Sequence, residues 1–178
     1  EVGLGGRLDA TNVLMPMAAV ITSIDFDHQD LLGETLESIA REKAGVIKPG
    51  IPVVVGPVAP GARAVIEATC LEQGARLVHA EERVRVTSMA DTAGGETTVS
   101  LEAGDHRLED VRLALRGRHQ VDNAAVAFCL MTELLGLGVR LDGSAMRAGL
   151  TNARWPGRLE RLQCRGAEVL IDAAHNPA

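Results

Sequence analysis

Two short and mostly apolar runs, 18–24 and 51–56, are the features that most restrict how this chain can fold. Runs without regular polar alternation are typical of strands that are buried on both faces of a parallel sheet. The residues between them have helical periodicity, so this segment is predicted to be a β-α-β unit. A helix over 62–73, ended by Gly74, and a strand over 76–80 are predicted to continue the alternation.

The pattern changes over 83–115, where apolar residues recur at every second position and glycine-containing turns interrupt them. This spacing predicts an antiparallel meander. A helix is predicted over 120–135, and Asp142 is predicted to cap a last short helix. The predicted fold class is therefore α/β, with a parallel sheet and a small antiparallel meander.

Trp155-Pro156-Gly157 is predicted to be a connector, because proline and glycine interrupt regular structure. A strand pair is predicted after it, over 159–163 and 168–172, and the second of these strands is predicted to be buried. We therefore predict one domain over 1–153, followed by a hinge and the start of a second domain over 154–178.

Charge and aromatic content exclude a nucleic-acid surface. The net charge is −6, and the only aromatic residues are Phe26, Phe128 and Trp155, which cannot form a basic, base-stacking surface. No apolar run approaches the roughly 18 residues of a membrane span, and no signal sequence opens the chain. We expect a cytoplasmic monomer that contacts neither nucleic acid nor membrane. The three cysteines, odd in number and widely spaced, are predicted to be reduced core thiols.

Lys43 falls on the apolar side of the helix that is predicted after the first strand. At about 100° per residue it lies at the centre of the stripe formed by Leu36, Ile39, Ala40 and Ile47. A charged ammonium would lose hydration there, so the neutral amine would become accessible and could capture carbon dioxide as a carbamate. A carbamate is an anionic oxygen donor of the kind that Mg²⁺ prefers. The alternative is a lysine whose charged end extends to the surface.

His28 follows the first predicted strand, at the sheet edge where α/β proteins bind their ligands. It stands among Asp25, Asp27 and Asp30, a composition that on its own is more typical of a solvated turn than of a metal site. Glu1 precedes a glycine-rich turn over 3–9, where missing side chains would let the backbone approach a ligand closely.

Several motifs, taken in order and spacing, resemble those of folylpolyglutamate and dihydrofolate synthases, which are members of the Mur-type amide ligases. The matching motifs are Glu1-Val2-Gly3-Leu4-Gly5-Gly6-Arg7-Leu8-Asp9-Ala10-Thr11-Asn12, Asp27-His28, Arg41-Glu42-Lys43-Ala44-Gly45, Gly117-Arg118-His119-Gln120-Val121-Asp122-Asn123-Ala124-Ala125, Trp155-Pro156-Gly157-Arg158 and Asp172-Ala173-Ala174-His175-Asn176-Pro177. The resemblance implies a central ATPase domain followed by a smaller Rossmann-like domain. The boundary predicted near residue 154 agrees with this organisation.

The resemblance also implies a metal side to the active site. In the family, the glutamate before the glycine-rich turn and the histidine after the strand bind metal, and these positions correspond to Glu1 and His28. The lysine of the third motif is carbamylated in related enzymes and corresponds to Lys43. His28 and Lys43 are accordingly the candidate catalytic residues, and Glu1, His28 and Lys43 the candidate ligands for one or two Mg²⁺ ions.

The three later motifs imply a nucleotide side, whose ATP-contacting residues correspond to Asn123, Arg158, Asp172 and His175. Without the family pattern, Asn123 could be an ordinary helix-start residue, Arg158 a surface charge and Asp172 a turn former at a strand end.

The activity implied by the resemblance is ATP-dependent addition of L-glutamate to folate or dihydropteroate through an acyl phosphate. The Gly-Lys-Ser/Thr loop that binds phosphates in such enzymes is absent from the 178 residues, so we expect it upstream of Glu1 and expect the chain alone to be inactive. Alternatives are a cell-wall amino-acid ligase of the Mur type, a metal-dependent hydrolase, and a nucleotide-binding piece without turnover.

Overall fold

The computed structural model describes residues 1–92 and 95–173. Its first half is built on a three-stranded parallel sheet, with strand order β1-β2-β3. The strands are β1 (Ala19–Ile21), β2 (Pro52–Val55) and β3 (Arg76–His79). Val53 of β2 pairs with Ala19 on one side and with Leu77 on the other. The β-α-β prediction is confirmed, since β1 and β2 are adjacent, parallel and joined through helices.

The helices of this half are α1 (Gln29–Leu32), α2 (Leu36–Ala44), α3 (Pro60–Glu72) and α4 (Ala80–Arg83), and a 3-10 turn covers Ala10–Val13. The start of α2 is fixed by a capping box, in which the Thr35 hydroxyl accepts from the Ser38 amide and the Ser38 hydroxyl accepts from the Thr35 amide. Helix α3 begins earlier than predicted, because proline suits the first position of a helix and Pro60 occupies it.

A second, antiparallel sheet follows, with the order β4-β5-β6. Its strands are β4 (Arg85–Asp91), β5 (Thr97–Ala103) and β6 (His106–Arg112), which confirms the predicted meander. The central strand β5 is mostly buried, whereas β4 is exposed along its length. The long helix α5 (His119–Gly136) and α6 (Gly143–Asn152) come next. Asp142 caps α6 as predicted, accepting from the Ala145 amide at 2.7 Å.

The core consists of two clusters that meet at β2. Val53 and Val55 point to one face, where they pack with Ile39 and Ile66 of the first helices. Val54 points to the other face and belongs to the cluster built around Phe128 of α5. All three valines are completely buried, as expected for a parallel strand covered by helices on both faces.

The last described element is an antiparallel hairpin of β7 (Glu160–Cys164) and β8 (Ala167–Ile171), which forms a sheet of its own. The predicted strand pair is therefore present. The prediction that its second strand is buried was wrong, because β8 is exposed throughout and Leu170 keeps 58% of its surface accessible. An apolar strand has to be covered to be buried, and none of the described elements packs over this one. The boundary between 153 and 154 stays a prediction.

No helix in the described part of the chain is long and apolar enough to cross a membrane.

The cysteines differ in accessibility, and this gives a first prediction. Cys70 and Cys129 are buried, as expected, but Cys164 is exposed on β7, so the core prediction was wrong for that residue. Burial raises the pKa of both core thiols to about 11, which disfavours the reactive thiolate. We expect a maleimide at neutral pH to label Cys164 alone in the native protein and all three cysteines in denaturant, as counted by intact mass. Labelling of Cys70 or Cys129 at the rate of Cys164 under native conditions would contradict this packing.

Candidate active site

The glycine-rich turn is organised around the carboxylate of Asp9. Its oxygens accept from the backbone amides of Gly3 at 3.0 Å, Leu4 at 3.3 Å and Thr11 at 2.8 Å, and also from the Thr11 hydroxyl. The Thr11 hydroxyl, followed by these backbone amides, lowers the pKa of Asp9 to about 2. Asp9 therefore remains an anion, and both of its carboxylate oxygens accept hydrogen bonds that hold the turn in shape.

The turn lies against the C-terminal end of α2. The backbone amide of Arg7 donates to the Glu42 carbonyl at 2.8 Å, and the Asn12 side chain donates to the Arg7 carbonyl at 2.9 Å. Lys48, just beyond α2, donates from Nζ to the carbonyl of Asn12 at 2.7 Å. These contacts bring together the first and third motifs, which are about thirty residues apart in the sequence.

Lys43 lies in the last turn of α2, next to Glu42. The buried side of this helix is formed by Ile39, Ala40 and Ala44, and Ile47 just after the helix is buried as well. Lys43 itself is only partly buried, although Ile39 and Ile47, one turn before and after it, are buried. A partly buried lysine can pack its four-carbon stem against apolar surface while its amine reaches solvent, where carbon dioxide has access to it.

His28 follows β1 in the chain and stands directly before α1. Its backbone is left-handed (φ 47°, ψ 42°), a region in which few residues other than glycine are found, and it precedes α1 without capping it. Nε2 of His28 lies 3.6 Å from Oδ1 of Asp27, and about half of the imidazole side chain is exposed. The ring therefore lies beside a carboxylate and is accessible to a ligand.

The predicted metal ligands Glu1, His28 and Lys43 differ in how well their chemistry suits Mg²⁺. Within 1–92 and 95–173, no group of three or more histidine, cysteine, aspartate or glutamate side chains is placed to hold a metal ion. Mg²⁺ usually takes one or two protein oxygens and fills its octahedron with phosphate oxygens and water. The exposed carboxylate of Glu1 and a carbamate on Lys43 would supply such oxygens, whereas the nitrogen of His28 is a less favoured donor for this hard cation.

Three of the residues predicted to contact ATP, Asn123, Arg158 and Asp172, lie on segments that the structure brings together. Asn123 is exposed in the second turn of α5, where its Nδ2 donates to Gln120 Oε1 at 3.1 Å. It is thus not the helix-start residue of the alternative interpretation. A Cβ on Gly117, just before α5, would lie 3.3 Å from Leu159 Cδ1, so this loop contacts the segment that carries Arg158.

Arg158 and Asp172 are both exposed, and their neighbours are directly bonded: the Ala173 amide donates to the Gly157 carbonyl at 2.6 Å. The two residues therefore lie at the same end of the hairpin. His175 lies outside the described residues. The ligand-binding roles of Asn123, Arg158, Asp172 and His175 stay predictions.

Arg7, Asp9 and Glu42 were not predicted to have a role, although all three stand within the matching motifs. The structure shows that Asp9 organises the turn and that Arg7 and Glu42 form an ion pair across it. The available signal was their place inside the matching motifs, since the ion pair itself joins residues 35 positions apart.

Comparison with known proteins defines the class. The family model described as Mur ligase middle domain matches residues 1–131. The chain belongs to this family of ligases. Among curated proteins it is similar to the dihydrofolate synthase/folylpolyglutamate synthase of Bacillus subtilis, with 40% identity over 178 residues, covering 99% of this chain and 41% of that protein.

Solved structures agree with this similarity. A structure described as an FPGS-AMPPCP-folate complex has a TM-score of 0.90 and 36% identity. The match covers 99% of this chain and 43% of the chain in that complex. Mycobacterium tuberculosis folylpolyglutamate synthase complexed with ADP and AMPPCP has a TM-score of 0.84 and 38% identity. The match covers 99% of this chain and 40% of the M. tuberculosis chain. The chain thus spans about two fifths of the length of these relatives, and its α/β fold is that of folylpolyglutamate synthases and Mur ligases.

Proposed function

We propose that this chain acts within an ATP-dependent ligase that joins L-glutamate to folate or dihydropteroate. The observation that carries the proposal is similarity over almost the whole chain, at 36–40% identity, to proteins named for these activities. The motif residues support it, since the segments of Asn123, Arg158 and Asp172 adjoin one another at one place in the fold.

The proposed reaction proceeds in two steps. A substrate carboxylate oxygen attacks the γ-phosphorus of ATP, so an acyl phosphate forms and ADP leaves. The amine of L-glutamate then attacks the acyl carbon, inorganic phosphate leaves, and the amine loses a proton as the amide bond forms. The protein supplies no nucleophile in this scheme, so its contribution is positioning and charge neutralisation.

Each group of predicted residues has a place in that scheme. Glu1, His28 and a carbamate on Lys43 would hold Mg²⁺, which when bound offsets negative charge on the γ-phosphate and the attacking carboxylate. Asn123, Arg158, Asp172 and His175 would orient the nucleotide. We further propose that residues 154–178 begin a second domain, which is supported by the separate sheet of β7 and β8. Nucleotide binding would then couple to closure of the two domains, and closure would exclude water from the acyl phosphate.

The phosphates need binding groups that the 178 residues do not contain, because no Gly-Lys-Ser/Thr sequence occurs among them. We therefore propose that turnover belongs to the full-length protein.

A substrate panel tests the proposal in the full-length protein. With ATP, Mg²⁺ and L-glutamate, we expect dihydropteroate or folate to gain the mass of one glutamyl residue, with one ADP released for each product. A reaction without glutamate is the control and should give no amide product. If only a cell-wall precursor is extended, the Mur-type alternative is correct; if nucleotide binds but no amide forms with any acceptor, the ligase proposal is wrong.

A further inference from the structure

Arg7 and Glu42 are joined both through side chains and through the backbone. Nε of Arg7 lies 3.1 Å from Oε1 and 3.3 Å from Oε2 of Glu42, and Nη2 lies 2.9 Å from Oε1. The Arg7 amide also donates to the Glu42 carbonyl at 2.8 Å. A forked ion pair combined with a backbone hydrogen bond fixes both the distance and the relative orientation of the glycine-rich turn and the end of α2.

Two glycines make this approach possible. A Cβ on Gly45 would lie only 2.4 Å from both Cα and Cβ of Arg7. A Cβ on Gly6 would lie 2.9 Å from the Glu42 carbonyl oxygen and 3.0 Å from that of Lys43. Any larger residue at either position would push the turn away from α2.

The location of the ion pair suggests that it orients the segments more than it stabilises the fold. Side chains of Arg7 and Glu42 are 53% and 23% exposed, and pairs this accessible usually contribute little to stability. Yet Glu42 directly precedes Lys43, and the turn that Arg7 anchors begins two residues after Glu1. The pair therefore joins the two segments that carry the oxygen donors predicted for the metal.

We propose that Gly6, Arg7, Glu42 and Gly45 form a clamp that sets the relative position of the Glu1 turn and the Lys43 end of α2, and that Arg7 and Glu42 are positioning residues for the metal. The inference rests on the metal site of the proposed function. Neither side chain binds the cation in this account. The clamp acts through the backbone segments that it joins.

The test is a binding measurement that needs no turnover. Mn²⁺ is titrated into the full-length protein with a non-hydrolysable ATP analogue, and free Mn²⁺ is counted by electron paramagnetic resonance. Removing partners that orient metal ligands typically weakens metal binding by 10–100-fold, so we expect Arg7→Ala and Glu42→Ala each to weaken Mn²⁺ binding by about tenfold. The double variant should bind no worse than either single variant, because both remove the same clamp.

The matched control is Arg63→Ala. Arg63 is also a surface arginine that pairs with several carboxylates, those of Glu67, Glu81 and Glu82, but it lies on α3 and outside the motifs. It should leave Mn²⁺ binding unchanged, whatever its effect on the melting temperature.

The outcomes separate this inference from the proposed function. Wild-type protein that binds no Mn²⁺ with the nucleotide analogue would overturn the metal site and the clamp together. Wild-type protein that binds Mn²⁺ normally, with Arg7→Ala and Glu42→Ala binding equally well, would overturn the clamp and leave the ligase proposal intact. Single effects that add in the double variant would show that Arg7 and Glu42 act separately, which also overturns it.

Discussion

Replacing Lys43 with alanine or arginine in the full-length protein is expected to lower the rate of glutamate ligation by at least about tenfold, or roughly 1.4 kcal/mol of transition-state stabilisation. Alanine removes the anionic oxygens that a carbamate would offer to Mg²⁺. Arginine keeps the length and charge of lysine but cannot form a carbamate, and it would place a permanent cation beside the metal. Initial rates at saturating ATP, glutamate and acceptor measure the effect.

Bicarbonate identifies the cause of this loss. Activity of the wild-type protein should fall after exhaustive degassing and return when bicarbonate is added, whereas neither variant should respond. Arg41→Ala is the matched control, since Arg41 is an exposed cation on the same helix, and it should keep wild-type activity and wild-type bicarbonate dependence. If Lys43→Arg keeps full activity and the intact mass of the wild-type protein shows no carbamate, Lys43 has no role in binding the metal.

Gly56→Ala is expected to lower the free energy of unfolding by about 1–3 kcal/mol, the usual range for overpacking a filled interior. Gly56 follows β2, and its amide donates to the Ile21 carbonyl at 2.9 Å. A Cβ there would lie 2.1 Å from the Thr22 carbonyl oxygen and 2.9 Å from Val126. The strain falls on the backbone that follows β1, which cannot rotate away as a flexible side chain can.

Urea denaturation measures this change, with Gly149→Ala as the matched control. A Cβ on Gly149 of α6 would meet nothing within 4 Å, so alanine there should be neutral or stabilise by up to about 1 kcal/mol. An unchanged unfolding midpoint for Gly56→Ala would mean that the ends of β1 and β2 are packed less closely than the structure shows.

The parts of the fold that follow from local periodicity were predictable from the sequence. The valines of β2 have no polar alternation, which indicates burial on both faces, and both faces are covered. Asp142 has a hydrogen-bonding side chain just before a helical segment, and it caps α6. Such features depend on a few consecutive residues, so a pattern in the sequence contains most of the information that determines them.

The features that failed depend on tertiary contacts. Leu170 and its neighbours in β8 have the composition of a buried strand, but composition does not say which element covers a strand. The helical wheel placed Lys43 on the inward side of α2 correctly, yet how deeply the side chain is buried depends on what packs at the margin of the helix. The pairing of Arg7 with Glu42 joins residues 35 positions apart, and no local pattern specifies such a contact.

Transfer of oxygen from the acceptor substrate to phosphate tests the ligase account most directly. The full-length protein is given dihydropteroate or folate whose carboxylates carry ¹⁸O, together with ATP, Mg²⁺ and L-glutamate, and the products are examined by mass spectrometry. If a carboxylate oxygen attacks the γ-phosphorus, each new amide bond should be accompanied by one phosphate that carries a single ¹⁸O atom. Amide formation with unlabelled phosphate, or release of ADP without extension of either acceptor, would contradict the account.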